Sequence, residues 1–242
     1  YDVWADLFKI PYKTIPLDVD FRIKKEDYFK ENGGIVFPNP NAPTAVEMPL
    51  SDVEDIIAKN PNVVVIVDEA YVDFGGTSAL KLIDKYDNLL VVRTYSKSRA
   101  MAGMRIGYAI GNEELIAKLK AVKFSYNSYT MNMPSIEAGV AAIEDDDYFS
   151  EIVGKIITTR EKAKEELKKL GFSCTDTKAN FLFASHKEIQ ASVIFEELKK
   201  RKIFVRYFNK PRIDNYLRIT VGTDEEMKKL YEALEDIVNT CK

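Results

Sequence analysis

The sequence contains little histidine and little cysteine. Its 242 residues include one histidine, His186, and two cysteines, Cys174 and Cys241. Two cysteines so far apart exclude a disulfide framework and a cysteine-based metal site, so we expect no bound metal and a reducing, cytoplasmic compartment. A zinc site or a Ser-His-Asp triad would need His186, but Ser185 and Lys187 beside it indicate a surface loop rather than a catalytic centre.

Long apolar runs and a surplus of one charge are also absent. No stretch approaches the roughly 18 apolar residues of a membrane span, and no signal peptide opens the chain. The 35 basic residues nearly balance the 38 acidic ones, which leaves a net charge of −3. This balance gives no reason to expect nucleic acid or a membrane surface as a partner.

The chain begins without an initiator methionine. Residues 1–10 carry apolar side chains at the spacing of a helix, yet no capping residue precedes them. We therefore expect that the sequence lacks an N-terminal segment, with proteolytic maturation as the alternative explanation.

Apolar patterns in the first half of the chain predict alternating strands and helices. Hydrophobic residues make up 46% of the sequence, enough for a substantial core. The patterns predict strands at residues 12–17, 35–37, 63–67, 89–92 and 105–110, and helices at 50–59 and 78–85. Ser51 and Glu54 have the spacing of a capping box for the first of these helices. Strand, helix and strand in succession predict an α/β fold with a mostly parallel sheet.

The second half of the chain predicts a smaller α+β domain. Helices are expected at residues 112–123, 133–143, 148–170, 189–201 and 224–240, and strands at 179–183, 203–206 and 216–221. The acidic run at 145–147 precedes the longest helix and marks the expected boundary. The prediction is a large domain at residues 1–145 and a small C-terminal domain at 146–242.

Polar clusters follow three of the predicted strands. They are the turn-rich loop after Phe37, the stretch from Asp68 to Tyr71, and the stretch from Thr94 to Lys97. Ligands of open α/β sheets bind beyond the carboxyl ends of the strands. The three clusters therefore predict one ligand site at this edge.

The residue types in these clusters suit a ligand that carries both a phosphate and a cationic atom. A carboxylate directly after a buried strand, such as Asp68, needs a cationic partner. Thr94, Ser96 and Arg105 suit a phosphate dianion through charge-assisted hydrogen bonds. Lys97 lies among them, although a lysine is most often a solvated surface residue. Asp68 and Glu69 also suit a helix N-cap with a solvated neighbour, and that alternative stays open.

Four motifs carry a specific resemblance. They are Asn41-Ala42-Pro43-Thr44, Asp68-Glu69-Ala70-Tyr71, Ser96-Lys97 with Arg105 eight residues later, and Leu217-Arg218-Ile219-Thr220-Val221-Gly222-Thr223. In this order they resemble the fold-type I aminotransferases that depend on pyridoxal 5′-phosphate, and most of all the histidinol-phosphate aminotransferase family of class II. The resemblance covers essentially the whole chain. It implies a fold-type I architecture, in which a large-domain sheet, here N-terminally truncated, is followed by a small α+β domain.

The resemblance also implies an activity. A transaminase of this family moves an amino group between L-glutamate and imidazole acetol phosphate, giving histidinol phosphate in histidine biosynthesis, as a cytoplasmic homodimer. The same branch includes aromatic aminotransferases and a threonine-phosphate decarboxylase, which remain alternatives. An inactive truncated fragment is a third possibility.

For the cofactor, the resemblance implies a role for each matching residue. Lys97 is the Schiff-base lysine and carries the proton between substrate and cofactor. The other expected cofactor contacts are Asp68 at the pyridine nitrogen, Tyr71 and Asn41 at the O3′ oxygen, Tyr1 stacked on the ring, and Thr94, Ser96 and Arg105 at the phosphate.

For the substrate, the resemblance implies contacts from Asn180, Arg206 and Arg218. Arg218 matches the arginine that binds an acidic group, and Arg206 matches one that binds the substrate phosphate. Ordinary surface arginines are the alternative, but Leu217 and Ile219 leave Arg218 on the opposite strand face from a buried pair. Asn180 between apolar neighbours also suits a backbone contact.

The sequence departs from the family pattern in the loop after residue 40. Ala42 stands where most relatives have asparagine before the loop proline, and Ala45 stands where glycine is usual. An alanine at a positive φ costs free energy. Relatives also carry a preceding segment with a glycine turn for the phosphate and a tyrosine that reaches the partner's cofactor. Its absence implies weaker cofactor binding by this chain.

Overall fold

Two four-stranded sheets organise the chain. The computed structural model describes residues 1–241. A short helix, α1 (Asp2–Leu7), opens it and buries none of its residues. Within residues 1–241 no helix is both long enough and apolar enough to cross a membrane.

The first sheet is mostly parallel, as predicted. Its strands, in spatial order, are β1 (Ile35–Pro38), β2 (Val65–Asp68), β3 (Leu89–Thr94) and β4 (Gly107–Gly111). The first three are parallel, and β4 returns antiparallel to β3. Val65 and Val67 are fully buried in β2, which matches the β-branched composition of that run.

Helix α2 (Leu50–Lys59) covers part of this sheet. Val53, Ile56 and Ile57 are fully buried and belong to the same core cluster as the strand residues. The helix has the predicted bounds, but the predicted capping box is absent, because Ser51 lies inside the first turn. Pro49 is the N-cap residue, and no side chain caps the helix.

Three helices connect the two sheets. They are α3 (Glu113–Tyr126), α4 (Met133–Glu144) and α5 (Asp146–Lys169). Helix α3 buries no residue, and α4 buries only Ser135 and Gly139. Helix α5 buries Val153, Arg160, Ala163 and Leu167. The expected domain boundary at residue 145 lies between α4 and α5.

The second sheet is antiparallel throughout. Its strands, in spatial order, are β5 (Phe172–Cys174), β6 (Phe181–His186), β8 (Leu217–Thr220) and β7 (Arg206–Tyr207). Helices α6 (Ala191–Lys200) and α7 (Asp224–Thr240) share its core with α5. Thr223 and Glu226 form a capping box at the start of α7.

Several predictions of local structure are wrong. Residues 12–17 form no strand, and Pro16 within them has no backbone N–H for a ladder. The helix expected at 78–85 is a single 3₁₀ turn, Ala79–Leu82. His186 ends a strand instead of lying in a surface loop. It is only 3% exposed, and its Nδ1 accepts hydrogen bonds from the backbone N–H groups of Glu188 and Ile189.

Candidate functional site

The carboxyl ends of β1, β2 and β3 meet at one edge of the first sheet. Pro38 is the register partner of Asp68, and Asp68 is the register partner of Val92. The loop after Pro38, Asp68 itself and the turn after Thr94 therefore lie side by side. The convergence of the three polar clusters is confirmed.

Asp68 occupies the centre of this edge and is half-buried. Its Oδ1 accepts a hydrogen bond of 3.0 Å from the backbone N–H of Ala70, so a capping contact exists. Its Oδ2 accepts a hydrogen bond from the hydroxyl of Tyr1. Among residues 1–241, no lysine or arginine forms a salt bridge with it. The carboxylate thus remains available to a cationic ligand atom.

Tyr1 reaches the site through its hydroxyl group. Burial of that group, followed by its hydrogen bond to Asp68 and the negative charge there, raises the pKa of Tyr1 above its usual range. The ring itself is 51% exposed. Tyr1 therefore contacts Asp68 directly, whereas the resemblance implied a stacking contact with the cofactor ring.

Lys97 lies next to Tyr71. The Lys97 Nζ is 5.2 Å from the centre of the Tyr71 ring, and both side chains are half-buried. The Tyr71 ring packs edge-on against Phe181 at 5.2 Å between centroids. Lys97 is therefore not fully solvated. It lies beside two packed aromatic rings, Tyr71 after a strand of the first sheet and Phe181 in the second sheet.

The three residues expected at the phosphate are adjacent in the fold. The Thr94 hydroxyl accepts a hydrogen bond from the backbone N–H of Ser96 at 3.1 Å and donates to the carbonyl of Ile106 at 3.3 Å. Arg105 precedes Ile106, has a left-handed φ of 57° and is exposed. Its Nη1 donates to the carbonyl of Ala102. Other guanidinium N–H groups of Arg105 remain available to an anion.

The loop after β1 is held by its own side chains. The Oδ1 of Asn41 accepts a hydrogen bond of 2.8 Å from the Thr44 hydroxyl. Ala45 is fully buried and has a φ of 62°, so the position that is usually glycine does need a left-handed residue. Asn41 lines an open cleft of about 250 Å³ beside Phe21 and Arg212. This cleft does not include Lys97 or Asp68.

Arg206 and Arg218 are brought together by the second sheet. They are register partners on β7 and β8. Their guanidinium carbons lie 5.5 and 5.7 Å from the ring centre of Phe208, and that of Arg218 lies 5.1 Å from the ring of Phe181. Leu217 and Ile219 are buried while Arg218 is half-buried, so the predicted alternation is confirmed.

Asn180 lies where the second sheet meets the loop after β1. Its carbonyl accepts a hydrogen bond of 2.9 Å from the backbone N–H of Val221. Nearby, the Lys178 N–H donates to the carbonyl of Ala45 at 2.9 Å, and the Thr175 hydroxyl donates to the carbonyl of Thr44 at 2.6 Å. The chain leading into β6 is thus attached to the loop after β1.

Arg160 joins the two sheets and was not found from the sequence. Its side chain leaves α5 and is 2% exposed in total. The Nη1 donates hydrogen bonds of 2.7 Å to the carbonyl of Phe74 and of 3.0 Å to the carbonyl of Ala179. Phe74 is three residues after Tyr71, and Ala179 precedes Asn180. An arginine in a charged helix gives no sequence signal of this kind.

A buried ionic network includes Glu69 and Ser98, the residues that directly follow Asp68 and Lys97. Glu69 is 2% exposed, so the solvated neighbour considered from the sequence is wrong. It accepts hydrogen bonds from the Nε and Nη2 of Arg93, at 3.1 and 2.9 Å, and from the Ser78 hydroxyl at 2.7 Å. Arg93 also pairs with Asp73 at 3.5 Å, and Asp73 accepts a hydrogen bond from the Ser98 hydroxyl.

Comparisons with known proteins agree on one family. The family described as "Aminotransferase class I and II" matches residues 4–234. The histidinol-phosphate aminotransferase 1 of Hydrogenovibrio crunogenus is 52% identical over 240 residues, covering 99% of this chain and 67% of its own length. The histidinol-phosphate aminotransferase of Aromatoleum aromaticum is 50% identical, covering 98% of this chain and 68% of its own length. The chain thus spans about two thirds of these relatives.

Solved structures have the same architecture. A histidinol-phosphate aminotransferase from Clostridium acetobutylicum superposes with a TM-score of 0.91 at 25% identity, covering 99% of this chain and 75% of its own. The enzyme from Sinorhizobium meliloti, in complex with pyridoxal-5′-phosphate, superposes with a TM-score of 0.83 at 25% identity. It covers 95% of this chain and 65% of its own.

Proposed function

Because the chain belongs to the class I and II aminotransferases, we propose that it transfers an amino group between L-glutamate and imidazole acetol phosphate. The product of the second half-reaction is histidinol phosphate, an intermediate of histidine biosynthesis. The observation that carries the proposal is the opposed pair Arg206 and Arg218, of which Arg218 contacts Phe181, the ring that packs on Tyr71 beside Lys97. Two guanidinium groups there suit substrates that carry carboxylates or a phosphate.

The donor set at the sheet edge fits pyridoxal 5′-phosphate. When bound, the cofactor supplies an electron sink for the charge that develops at the substrate α-carbon. Asp68 has no cationic partner in the described chain, which suits a protonated ring nitrogen. The Tyr1 hydroxyl and the Ala70 N–H use one acceptor site on each oxygen of Asp68, so acceptor capacity remains for the ring nitrogen.

The remaining cofactor contacts divide between two groups of residues. Tyr71 and Asn41 lie on the loops that flank Asp68 and would contact the O3′ oxygen. The phosphate would be held by residues that share hydroxyl or guanidinium donors at the end of β3, namely Thr94, Ser96 and Arg105. Arg105 contributes the positive charge, and its exposure leaves room for the dianion.

Lys97 would hold the cofactor and then move the reacting proton. With cofactor and substrate bound, the Lys97 Nζ would act as the base that removes the proton from the substrate α-carbon and as the acid that delivers it to the cofactor carbon. This is general acid–base catalysis by one group. The Tyr71 ring, 5.2 Å from the Nζ, limits the directions in which the lysine can swing.

Arg218 would bind an acidic group of each substrate, a carboxylate of glutamate or the phosphate of imidazole acetol phosphate. Its planar guanidinium group donates two parallel hydrogen bonds to either group. Arg206 is more exposed and adds a second positive charge for the phosphate ester. Asn180 would contribute a polar contact at the junction between the sheets.

We also propose that the active form is a cytoplasmic homodimer. Apolar side chains on α1, α3 and the helix after it are exposed, for example Trp4 at 67% and Phe124 at 60%. Exposed apolar patches of this kind favour protein association. Both cysteines are unpaired, in keeping with a reducing compartment. Light scattering after gel filtration measures the oligomeric state.

Borohydride reduction with pyridoxal 5′-phosphate, followed by peptide mapping, tests the cofactor role. We expect a visible absorbance band before reduction and a cofactor adduct at Lys97 afterwards. Lys97→Ala and Lys97→Arg should lose both, and Lys118→Ala is the matched surface control. An adduct at another lysine would contradict the assignment of Lys97 as the cofactor lysine.

Substrate assays then test the reaction. These assays should be made on this chain and also on a longer form. The longer form carries, at its N-terminus, the corresponding part of the Hydrogenovibrio crunogenus relative. We expect glutamate-dependent conversion of imidazole acetol phosphate. Release of CO₂ from threonine phosphate, or a preference for phenylpyruvate, would contradict the proposal in favour of another member of the branch. A folded extended form that is inactive on all three would contradict it altogether.

A further inference from the structure

We propose that Asp73 and Ser98 form a positioning pair that fixes Lys97 against Tyr71. The Ser98 hydroxyl donates a hydrogen bond of 2.5 Å to the Oδ2 of Asp73. This bond joins the loop after β2 to the turn after β3, which are separate in sequence by 25 residues. The inference rests on the proposed function for the role of Lys97, but the contact itself does not.

The pair lies close to both functional side chains along the chain. Ser98 directly follows Lys97, and Asp73 comes two residues after Tyr71. Both segments are tight turns, since the Phe74 N–H donates to the carbonyl of Tyr71 and the Ala100 N–H donates to that of Lys97. A shift of Ser98 therefore also moves the Lys97 backbone, because the hydrogen-bonded turn limits independent movement of the two residues.

The Asp73 carboxylate is held in place by Arg93. Its Oδ1 lies 3.5 Å from the Nη1 of Arg93, whose Nε and Nη2 donate to Glu69. Glu69 in turn accepts a hydrogen bond from the backbone N–H of Ala79 at 2.6 Å. Glu69 is 2% exposed and Ser98 is 5% exposed, so water competes little for their side chains, whereas the Asp73 side chain keeps 27% exposure.

This arrangement assigns Asp73 and Ser98 a task that differs from binding. Neither side chain points its hydrogen bond at a ligand, since each is used by the other. Groups that hold a reactive side chain within a fraction of an ångström determine how often its geometry is productive. The pair therefore acts through Lys97.

Four variants separate the positioning role from general stability. Ser98→Ala removes the donor, and Ser98→Thr restores it. Asp73→Asn keeps an acceptor oxygen but removes the charge that Arg93 attracts. Ser78→Ala is the matched control, because it removes a hydrogen bond of 2.7 Å to Glu69 in the same network without adjoining a site residue.

Two measurements on the whole chain report on Lys97. The first is the rate of adduct formation with pyridoxal 5′-phosphate, trapped by borohydride and quantified by peptide mapping. We expect Ser98→Ala to lower it about tenfold, the effect of one hydrogen bond to a charged group. The second is the acetylation rate of Lys97 without cofactor, relative to Lys155. We expect Ser98→Ala to raise this ratio, because the freed lysine becomes more accessible.

Opposite changes in the two rates, with recovery in Ser98→Thr and near-normal values in Ser78→Ala, support the positioning pair. Equal rates in Ser98→Ala and the original protein overturn it. If the original protein forms no adduct at Lys97, the proposed function fails, and the acetylation ratio alone decides the inference. If circular dichroism shows that Ser98→Ala does not fold, Asp73→Asn is judged by the same two criteria.

Discussion

Arg206 and Arg218 face each other directly across β7 and β8, and both guanidinium groups lie within 6 Å of the Phe208 ring centre. Like charges in directly opposed positions destabilise a strand pair by roughly 0.2–1 kcal/mol. The Phe208 ring offsets part of this repulsion through cation–π contacts. An anionic ligand bound between the two guanidinium groups would offset the rest.

Arg206→Ser should therefore stabilise the ligand-free protein by less than about 1 kcal/mol, since the loss of its contact with Phe208 opposes the relief of repulsion, and should weaken the binding of histidinol phosphate. The physical reason is that the repulsion and the attraction for phosphate come from the same charge. Thermal unfolding with and without histidinol phosphate measures both effects. Lys210→Ser, which removes an exposed charge outside the pair, is the control. A stabilisation by ligand that is equal in Arg206→Ser and the original protein would exclude a role for Arg206.

Arg160→Met should destabilise the fold by about 2–6 kcal/mol, because each of two buried carbonyls left without a donor costs about 1–3 kcal/mol. The substitution leaves the carbonyls of Phe74 and Ala179 without their donor at the junction of the two sheets. Arg160→Lys should fall between, because one ammonium replaces the guanidinium group. Urea unfolding measures the change, and Lys162→Met on the exposed side of α5 should stay within about 0.5 kcal/mol of the original protein. A loss below 1 kcal/mol in Arg160→Met would show that the junction does not depend on this residue.

Ala45→Gly should change stability by less than about 1 kcal/mol. Relief of the left-handed backbone gains about 1–2 kcal/mol. Loss of the buried methyl group costs about 0.8 kcal/mol, and the greater freedom of glycine in the unfolded chain costs about 0.4–1 kcal/mol. Ala45→Val should destabilise by at least about 2 kcal/mol, since no space remains around a residue that is 0% exposed. The same urea titration checks both, and a tolerated valine would contradict the packing argument.

Cys174 should resist alkylation in the native protein while Cys241 reacts. Burial raises the pKa of Cys174 to about 11, against a partial opposing effect of Lys164. Only about one thiol in a thousand is then ionised at pH 8. Iodoacetamide followed by peptide mapping should find Cys241 modified first. Fast labelling of Cys174 at pH 8 in the folded protein would be inconsistent with its burial.

The same raised pKa has a consequence for stability. Folding favours the neutral thiol of Cys174. The neutral thiol therefore contributes to the free energy of unfolding in full below the ordinary thiol pKa of 9.0, and this contribution is lost as the pH rises through about 11. Cys174→Ala should remove this part of the alkaline loss. Unfolding measured from pH 8 to pH 11 in both proteins tests the sign.

The sequence predicted the elements that repeat an apolar pattern over many residues. Helix α7 has the predicted bounds of residues 224–240, because its apolar stripe and capping box agree. Strand β5 has three residues, too short to establish a period. The capping of α2 was mispredicted because Ser51 suits a cap in composition while the backbone already turns at Pro49.

The candidate site was predictable to the extent that it depends on strand ends. Asp68 and Lys97 follow buried runs, and parallel strands bring such ends together. The pairing of Arg206 with Arg218 was not predictable, because the register of β7 on β8 depends on the intervening chain. Arg160 was missed for a different reason. A helix with charges on most of its surface gives no sign that one of them turns inward.

The division of the site between two sheets bears on how proteins of this kind diversify. The residues suited to catalysis follow strands of the first sheet, whereas the residues suited to binding an acidic group lie on the second sheet. Strand β7 has two residues, and under the proposed function substitutions there would alter which anion is preferred without touching Lys97 or Asp68. Selectivity and chemistry would then be separable by substitution. Arg160 is the exception, because its two hydrogen bonds reach both halves and a change there would affect them together.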